Sequence, residues 1–277
     1  MMPSIPQSDA EWAALISNVE SSVEVSEDQC ALPSLDQQLA QYFDHTLLKL
    51  DATEEGIEKL CTEAKEHGFK TVCVRVNWVP KCKELLTGTD IGVACVIDFH
   101  EGTSTLQEKS EETKLAVAHG ASELDLVLPR QFLTGDAEQY VTLYDHLNTI
   151  RTLAPSPTVL KIILETSQLS RSQIIAACTI AGFASFDFVK TSTGFCGRGA
   201  SVDDVRLMRA CSATLESQGF GCKKMAVKAS GGIRTLKDTI EMIAAGATRL
   251  GASAGVGVME EVNGRESKGG NAVAGGY

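Results

Sequence analysis

The chain has 277 residues, 43% of them hydrophobic and 22% charged, so it is long enough for one large α/β domain or two small ones. Its net charge of −11 argues against nucleic acid and anionic membranes as main partners. Residues 1–48 contain eight acidic residues and no lysine or arginine, so much of that charge lies at the start of the chain. A small anionic substrate is compatible with this balance if its binding site is basic.

No stretch of the sequence reads as a targeting or membrane signal. The first basic residue is Lys49, whereas secretory and mitochondrial leaders carry an early positive charge. No apolar run approaches the roughly 18 residues of a membrane helix. The nine cysteines include no Cys-x-x-Cys pair, which is typical of reduced core thiols. We therefore expect a cytoplasmic protein.

The two ends of the chain differ in composition from the segment between them. Residues 1–34 predict a flexible acidic extension with one short helix over 11–19, and the glycine-rich residues 263–277 predict a flexible tail. Residues 35–262 predict a single catalytic domain, which begins with a helix over 35–42.

Strand-like and helix-like segments alternate from Phe43 onward. The segment 53–67 shows the helical pattern well, because Ile57, Leu60, Cys61 and Ala64 are spaced by three and four and Gly68 follows. After the first strand, which begins at 43, the predicted strands are 71–76, 91–97, 123–127, 158–164, 183–189, 225–228 and 249–250. The predicted helices are 53–67, 81–86, 106–119, 137–153, 171–181, 202–217 and 236–245, with one more after the last strand.

This alternation predicts the fold. Strands that alternate with helices form a parallel sheet, and eight such units in roughly 250 residues is the size of a (β/α)8 TIM barrel. A doubly wound open sheet is the alternative, but the usual glycine fingerprint after the first strand is missing.

The most informative stretch is 183–199. An apolar, aromatic run ends at Lys190, and a loop rich in hydroxyl residues and glycine follows. The run predicts a buried strand, which places Lys190 at a carboxyl strand end, where TIM barrels carry catalytic groups. Because lysine is seldom buried without a reason, Lys190 is a candidate amine nucleophile.

Four more ionisable residues lie in or near other predicted strands, namely Asp44, Asp125, Lys161 and Lys228. Taken singly, each has an ordinary explanation: a strand lysine usually snorkels to the surface, Asp125 can be a buried structural partner, and Asp44 with Thr46 can form a turn or cap. Ionisable groups inside apolar strands are costly unless they are paired. Three lysines and two aspartates from five strands therefore predict one shared cavity.

Such a set favours covalent catalysis by an amine. A free lysine has a pKa of about 10.4 and is protonated at neutral pH. A second cation about 6 Å away opposes protonation by roughly 3 kcal/mol, which lowers the pKa by about two units. Lys190 beside Lys228 would then be able to attack a carbonyl, and Asp125 would move protons with Lys228 through a water molecule.

This chemistry needs neither a metal nor an organic cofactor. The five histidines show no paired ligand spacing, and the run Asp-Phe-His-Glu at 98–101 is a weak metal motif.

Two loops predict a phosphate site. Residues 230–234 and 251–255 put small residues just before helices, after strands seven and eight. Backbone amides at such places bind phosphate, and TIM barrels commonly hold phosphate there. Gly-Gly by itself can be only a tight turn, but Arg234 and the Thr193-Gly194 loop add to the signal.

These motifs resemble those of the deoxyribose-phosphate aldolases, a class I aldolase family, over about residues 35–253. The matching strings are Asp-His-Thr-Leu-Leu-Lys (44–49), Glu-Leu-Asp-Leu-Val (123–127), Leu-Lys-Ile-Ile-Leu-Glu (160–165), Val-Lys-Thr-Ser-Thr-Gly (189–194) and Lys-Ala-Ser-Gly-Gly-Ile-Arg-Thr (228–235). The last two are the most specific. The resemblance implies a cofactor-free aldehyde-lyase of deoxyribonucleoside catabolism. Such an enzyme reversibly cleaves 2-deoxy-D-ribose 5-phosphate to D-glyceraldehyde 3-phosphate and acetaldehyde through a Schiff base.

The resemblance also implies roles for residues. Lys190 would form the Schiff base, Lys228 would lower its pKa and share proton transfer with Asp125, and further residues would order that relay, namely Asp44, Thr46 and Lys161. The phosphate would be held by Gly194, Gly231, Gly232, Arg234, Gly251 and Ser253. Tyr277 would donate a proton to the enamine from a mobile tail, the alternative being a disordered tail with no role. A homodimer is the family expectation.

Several positions depart from the family pattern. Phe195 stands where some members have a phosphate-binding lysine, and Arg198 is a candidate replacement. The other departures are Ala229, Ala254, Arg75 and Asp98. They bear on substrate affinity and specificity rather than on the type of reaction.

The residues alone leave two other functions open. One is another phosphosugar-binding TIM-barrel enzyme, an isomerase or synthase, which would not trap substrate on a lysine. The other is a catalytically silent interaction protein that binds through its acidic first 48 residues.

Overall fold

Eight parallel strands close into a barrel in chain order. The computed structural model describes residues 5–35, 37–220 and 222–270. The strands are β1 (Phe43–Thr46), β2 (Thr71–Val74), β3 (Gly92–Ile97), β4 (Glu123–Val127), β5 (Val159–Ile163), β6 (Phe188–Lys190), β7 (Ala226–Ser230) and β8 (Arg249–Ala252). The sheet is closed by β8 pairing with β1, with Gly251 opposite Asp44. The predicted TIM barrel is confirmed, and the open doubly wound sheet is excluded.

Helices follow the strands as the alternation predicted. They are α1 (Asp9–Ser22), α2 (Gln37–Ala40), α3 (Glu54–His67), α4 (Val79–Leu85), α5 (Leu106–Ala118), α6 (Gln131–Thr134), α7 (Tyr140–Leu153), α8 (Arg171–Phe183), α9 (Val202–Ser217), α10 (Leu236–Ala245) and α11 (Gly255–Gly270). Short 3-10 turns lie at Val76–Trp78 and Thr166–Gln168. Within these segments, none of the helices has both the length and the apolar composition needed to cross a bilayer.

The helix boundaries follow from local capping. Thr105 caps α5 and Ser170 caps α8, each in a reciprocal capping box with the side chain three residues later. At the other end, α3 stops at Gly68 and α10 at Gly246, both in the left-handed conformation that glycine adopts without strain.

The predicted strand over 183–189 is wrong in its first part. Helix α8 continues to Phe183, and β6 covers only Phe188–Lys190. Between them the chain reverses at Ser185, which has a φ of 59°. A short apolar run without periodicity does not distinguish the end of a buried helix from a buried strand. Lys190 nevertheless ends β6, at the carboxyl edge of the barrel.

The predicted flexibility of residues 1–34 does not fit the structure of α1. This helix packs across α7, α8 and α9, and its Trp12, Ile16 and Val19 are buried. The Trp12 ring lies 5.4 Å from the ring centroids of both Tyr144 and Phe183. A stripe of three apolar residues spaced by four and three anchors the helix, although the acidic composition around it suggested disorder.

The predicted tail over 263–277 begins inside a helix, because α11 continues to Gly270. Residues 271–277, and with them Tyr277, lie outside the described residues.

The barrel interior has an apolar part and an ionic part. The apolar part consists of Leu48, Cys73, Ala94 and Val96, with Phe99 packed against it. The ionic part carries the charged side chains of β1 and β4–β8. A large apolar core fills the space between strands and helices, and this shell isolates the ionic part from water.

Candidate active site

Five strands bring the five predicted ionisable side chains together inside the barrel. Asp44 lies on β1, Asp125 on β4, Lys161 on β5, Lys190 on β6 and Lys228 on β7. The strand register places Lys161 beside Asp125 and Lys228 beside Lys190. None of the five is more than 3% exposed. The convergence expected from the sequence is therefore present in the structure.

Asp125 is the hub of this cluster. Its Oδ2 accepts hydrogen bonds from Nζ of Lys190 at 2.8 Å and from Nζ of Lys228 at 2.7 Å. Its Oδ1 accepts one from Nζ of Lys161 at 2.6 Å. One carboxylate thus orients three lysine amino groups, which fixes the position of each lysine.

Asp44 forms the second centre of the cluster. Its Oδ2 accepts a hydrogen bond from Lys228, and its Oδ1 accepts from Nη1 of Arg249 at 2.6 Å and from Oγ1 of Thr71 at 2.8 Å. Glu123 completes the network, because its Oε2 lies 2.6 Å from Nζ of Lys161 and 2.9 Å from Nη1 of Arg249.

Sequence reasoning missed Glu123 and Arg249. Glu123 stands two residues before Asp125 in one strand, so the two carboxylates project to the same face. That spacing is a signal that was available. Arg249 is the first residue of β8, and the sequence around it contains no partner that would mark it as part of a site.

The balance of charge in the cluster favours one neutral amine. If all groups are ionised, four cations (Lys161, Lys190, Lys228 and Arg249) face three carboxylates (Asp44, Glu123 and Asp125). Loss of one proton makes the cluster neutral, and a buried cluster is least costly when its charges balance.

Lys190 is the amine that loses its proton most readily. Burial lowers its pKa below the usual value for lysine, the charge of Asp125 opposes this, and the charge of Lys228 adds to the lowering. The sequence predicts a lowering by the charge of Lys228 before any contribution from burial. In the structure burial is the larger cause, and Lys228 is the secondary one.

The other two lysines stay protonated. Burial alone would lower the pKa of Lys228, but the carboxylates of Asp125 and Asp44 outweigh it and raise that pKa. Lys161 behaves in the same way, with Asp125, Glu123 and Asp44 raising its pKa against burial. The pKa of Asp125 is held well below its usual value, because the charges of the three lysines outweigh the effect of burial.

A cavity of about 310 Å³ opens above the cluster at the carboxyl end of the barrel. Lys190 and Thr46 line it, whereas Asp44, Asp125, Lys161 and Lys228 lie behind this wall. The Thr46 hydroxyl donates a hydrogen bond to the carbonyl oxygen of Asp44 at 2.7 Å. A ligand in the cavity therefore contacts the Lys190 side chain directly, whereas Asp44, Asp125, Lys161 and Lys228 lie deeper in the barrel.

The predicted glycine loops form one side of the same cavity. Gly194, Gly231 and Gly232 line it and have φ values of 82–83°, a region that side chains other than glycine rarely adopt. Among the described residues, the amides of these glycines and of Ile233 have no hydrogen-bond acceptor. Free amides in a concave loop are suited to an anion.

The second predicted loop leads into α11. Gly251 and Ser253 line the cavity, and a Cβ on Gly251 would lie 2.8 Å from Cβ of Ser230 and 2.9 Å from Cε of Lys228. Ala254 accepts the first backbone bond of α11, from Val258 at 3.1 Å. Because alanine has no side-chain oxygen to cap the helix, the first amides of α11 are left for a ligand.

Three basic residues near the cavity differ in their availability. Arg234 lines the cavity and is exposed. Lys49, the last residue of the 44–49 motif, lines it from the loop after β1. Arg198 instead binds Oδ2 of Asp204 at 2.6 Å and is not part of the cavity wall. The structure therefore does not support Arg198 as the replacement for a phosphate-binding lysine.

A cluster of aromatic side chains adjoins the cavity through Phe195. Phe195 lines the cavity, stacks on His100 at 5.0 Å and meets Phe99 edge-on at 5.1 Å. Arg75 lies 5.3 Å from the Phe99 ring and donates a hydrogen bond to its carbonyl oxygen. The departures from the family pattern at Phe195 and Arg75 thus form one continuous contact.

Two further departures from the family pattern, Asp98 and Ala229, contact neighbouring residues of the fold and do not line the cavity. Asp98 accepts hydrogen bonds from Ser104 and pairs with Nζ of Lys109 at 3.0 Å. Ala229 is buried in β7.

In the part of the chain that the structure covers, no group of three or more potential ligands is arranged to hold a metal ion. All nine cysteines are free thiols.

Comparisons with known proteins identify the family to which the chain belongs. The DeoC/LacD family of aldolases matches residues 38–260. A protein of Coccidioides immitis described as a deoxyribose-phosphate aldolase is 45% identical over 252 residues, which is 91% of each chain.

Two solved structures are also similar. A crystal structure of a putative deoxyribose-phosphate aldolase from Coccidioides immitis has a TM-score of 0.86 and 43% identity, covering 92% of this chain and 98% of that one. A structure from Aeropyrum pernix, described as a unique tetrameric deoxyribose-phosphate aldolase, has a TM-score of 0.73 and 29% identity, covering 90% of this chain and 97% of that one. With the family matched over most of its length, the chain belongs to the DeoC/LacD family of aldolases.

Proposed function

We propose that this protein is a class I aldolase that reversibly cleaves 2-deoxy-D-ribose 5-phosphate to D-glyceraldehyde 3-phosphate and acetaldehyde. The observation that carries the proposal is the position of Lys190. It is the lysine of the buried cluster that lines the cavity, and it is the only one of the three cluster lysines whose pKa lies below the usual value, because burial outweighs the charge of Asp125 there. A neutral amine at the floor of a cavity is placed to attack an aldehyde.

The reaction begins with the open-chain sugar. The Lys190 nitrogen bonds to the C1 carbonyl carbon, and the resulting carbinolamine takes up a proton from the Asp125–Lys228 pair as its hydroxyl leaves as water, which gives the protonated imine. The C3 hydroxyl then gives up its proton, the C2–C3 bond breaks, and its electron pair moves to form the enamine on Lys190. Glyceraldehyde 3-phosphate leaves with the new aldehyde at the former C3. Protonation of the enamine at C2 and hydrolysis of the imine release acetaldehyde and restore the amine.

Asp125 and Lys228 are assigned the proton transfers in this scheme. Asp125 contacts both lysines through a single oxygen, so a water molecule at Lys190 would connect the substrate hydroxyl to this pair. Asp44 and Lys161 hold the pair through their own contacts with Lys228 and Asp125, and Thr46 borders the sugar from the cavity wall. Tyr277, which lies outside the described residues, is kept as the candidate proton donor to the enamine.

The substrate phosphate is assigned to the glycine loops that line the cavity. The amides of Gly194, Gly231 and Gly232, the end of β8 and the loop into α11 with Gly251 and Ser253, and the exposed Arg234 all border one space. Backbone amides and a helix start bind a phosphate group without a buried cation. This arrangement would leave C1 of the substrate beside Lys190.

Reductive trapping tests the proposal. Acetaldehyde and borohydride should add an ethyl group to the peptide that contains Lys190. The Lys190→Leu variant should lose both the adduct and the cleavage of deoxyribose 5-phosphate, whereas Lys237→Leu, which changes an exposed lysine, should retain both. Cleavage by Lys190→Leu would contradict the Schiff-base mechanism. An isomerase, a synthase or a silent interaction protein would give no adduct at all.

The assembly and compartment belong to the same proposal. We expect a homodimer, and the description of the Aeropyrum pernix relative as a tetramer supports self-association in general. Nine free thiols favour the cytoplasm, where cysteines stay reduced. Light scattering of the purified protein would measure the number of subunits.

A further inference from the structure

Glu165 is a buried carboxylate that the proposed chemistry does not use. It follows β5, has no exposed surface, and adopts the left-handed conformation with φ 57° and ψ 60°. Among the described residues no donor reaches its Oε1. A strained backbone and an unpaired buried oxygen both cost stability, so their persistence indicates a functional constraint.

The other oxygen of Glu165 holds the loop that carries Thr193 and Gly194. Oε2 accepts hydrogen bonds from the backbone N–H of Thr193 at 3.0 Å and from the Thr193 hydroxyl. That hydroxyl in turn accepts the backbone N–H of Phe195 at 3.1 Å. The amides on both sides of Gly194 are therefore occupied, and the amide of Gly194 itself is left without an acceptor in the described structure.

The opposite side of the same turn is fixed by β7. The Ser230 hydroxyl donates to the carbonyl oxygen of Ser192, and a Cβ on Gly194 would lie 3.6 Å from Cα of Gly231. The loop that carries Gly194 is therefore held between Glu165 on one side and the Ser230–Gly231 loop on the other. The free amide of Gly194 and the free amides of Gly231 and Gly232 face one space because Glu165 and Ser230 both hold the loop that carries Gly194.

We propose that Glu165 is a positioning residue that holds the Thr193–Gly194 turn in the shape in which its free amide meets the substrate phosphate. This inference rests on the proposed function, because it assigns the anion of that substrate to this loop. It differs from the roles assigned above, since Glu165 acts through Thr193 and touches no reacting atom.

Three substitutions at Glu165 distinguish the effect of side-chain length from the effect of charge. Glu165→Gln keeps an oxygen at the same distance, Glu165→Asp keeps the charge and tolerates the left-handed backbone but is too short, and Glu165→Ala removes the contact. Each is compared with the wild type by calorimetric binding of inorganic phosphate and by kcat/KM for 2-deoxyribose 5-phosphate and for 2-deoxyribose. Melting curves establish that each variant is folded. Should Glu165→Ala fail to fold, Glu165→Asp decides.

The expected result is specific to the phosphate. Loss of a hydrogen bond to a charged group predicts that Glu165→Ala and Glu165→Asp weaken phosphate binding by about 10- to 100-fold. They should lower kcat/KM for the phosphorylated sugar by a similar factor and leave 2-deoxyribose nearly unchanged. Glu165→Gln should retain most of the binding. In a Thr193→Val background the effect of Glu165→Ala should largely disappear, because the two residues act as one unit.

Two results would overturn the inference: equal losses with both sugars, or phosphate binding that no substitution changes. Failure of the wild type to cleave either sugar would instead end the proposed function. Calorimetric binding of inorganic phosphate does not require catalytic turnover, so it would still decide the role of Glu165 in that case.

Discussion

Lys190 and Lys228 are register partners on adjacent strands and bind the same oxygen of Asp125, at 2.8 Å and 2.7 Å. Their pKa values move in opposite directions. Burial lowers that of Lys190, whereas for Lys228 the carboxylates of Asp125 and Asp44 outweigh burial and raise it. In the proposed function these two amines would divide the roles of nucleophile and proton donor, in the way that neighbouring carboxylates divide acid and base roles in other enzymes.

The first prediction concerns the pH dependence of imine formation. A lowered pKa means that the neutral amine of Lys190 appears at lower pH than in free lysine, so the rate of trapping should rise with pH and reach half its maximum below about pH 10.4. The initial rate of the acetaldehyde–borohydride adduct, measured by mass spectrometry across pH, gives the midpoint. Lys228→Met should move it upward, because a neighbouring positive charge is lost, and Lys237→Met should not. A midpoint at or above that of free lysine would refute the assignment.

The second prediction separates attack from proton transfer at Asp125. The charge of Asp125 raises the pKa of Lys190, so Asp125→Asn should lower that pKa further and allow trapping at lower pH. Turnover should nevertheless fall by roughly 100- to 10,000-fold, because the proton acceptor is lost. Trapping and turnover are measured on the same preparation. If the two fall together, Asp125 serves only to orient the lysine.

Much of the site could be predicted from the sequence, because its signals are local. Lys190 ends an apolar run, Lys228 precedes Gly-Gly, and the glycine loops stand just before helices. In a TIM barrel the strand ends share one face, so recognition of the alternation was enough to bring these residues together. The apolar run over 183–189 nevertheless predicted too long a strand, because Phe183 belongs to α8 and not to β6.

The features that the sequence did not predict depend on tertiary contacts. Arg249 and Glu123 bind each other although they are far apart in the chain. The pairing of Glu165 with Thr193 likewise requires β5 and the loop after β6 to be adjacent. Burial as the main cause of the lowered Lys190 pKa follows from the packed shell around the barrel, and no sequence pattern reports that shell.

The third prediction concerns stability. Asp44 pairs with Lys228 and Arg249 without any exposed surface, so Asp44→Asn should lower the free energy of unfolding by about 3–5 kcal/mol. The lysine and arginine charges outweigh burial and lower the pKa of Asp44. Its stabilising contribution should therefore be complete above the unfolded-state pKa and be lost as pH falls through the lower folded-state value. Urea unfolding at several pH values measures this. Asp90→Asn, at an exposed position, is the matched control, and equal effects of the two substitutions would contradict the ion-pair account.

The fourth prediction uses two glycines of the α11 region. A Cβ on Gly251 would lie 2.8 Å from Cβ of Ser230 and 2.9 Å from Cε of Lys228, whereas one on Gly257 would meet nothing within 4 Å. Gly251→Ala should therefore displace Lys228 and Ser230, which lowers kcat and raises KM for deoxyribose 5-phosphate. Gly257→Ala should leave both constants unchanged. Steady-state kinetics measures them, and an unaffected Gly251→Ala enzyme would show that the loop adapts without loss of function.

The fifth prediction concerns the acidic first segment. Trp12 is fully buried between Tyr144 and Phe183, so Trp12→Ala should lower the free energy of unfolding by about 3–5 kcal/mol. Ser17→Ala, on the exposed side of the same helix, should have almost no effect. Because α1 packs on α7, α8 and α9, away from the cavity, kcat should be unchanged in both variants at temperatures where they are folded. If Trp12→Ala leaves the unfolding curve unchanged but increases protease cleavage within residues 5–35, α1 unfolds independently of the barrel and does not stabilise it.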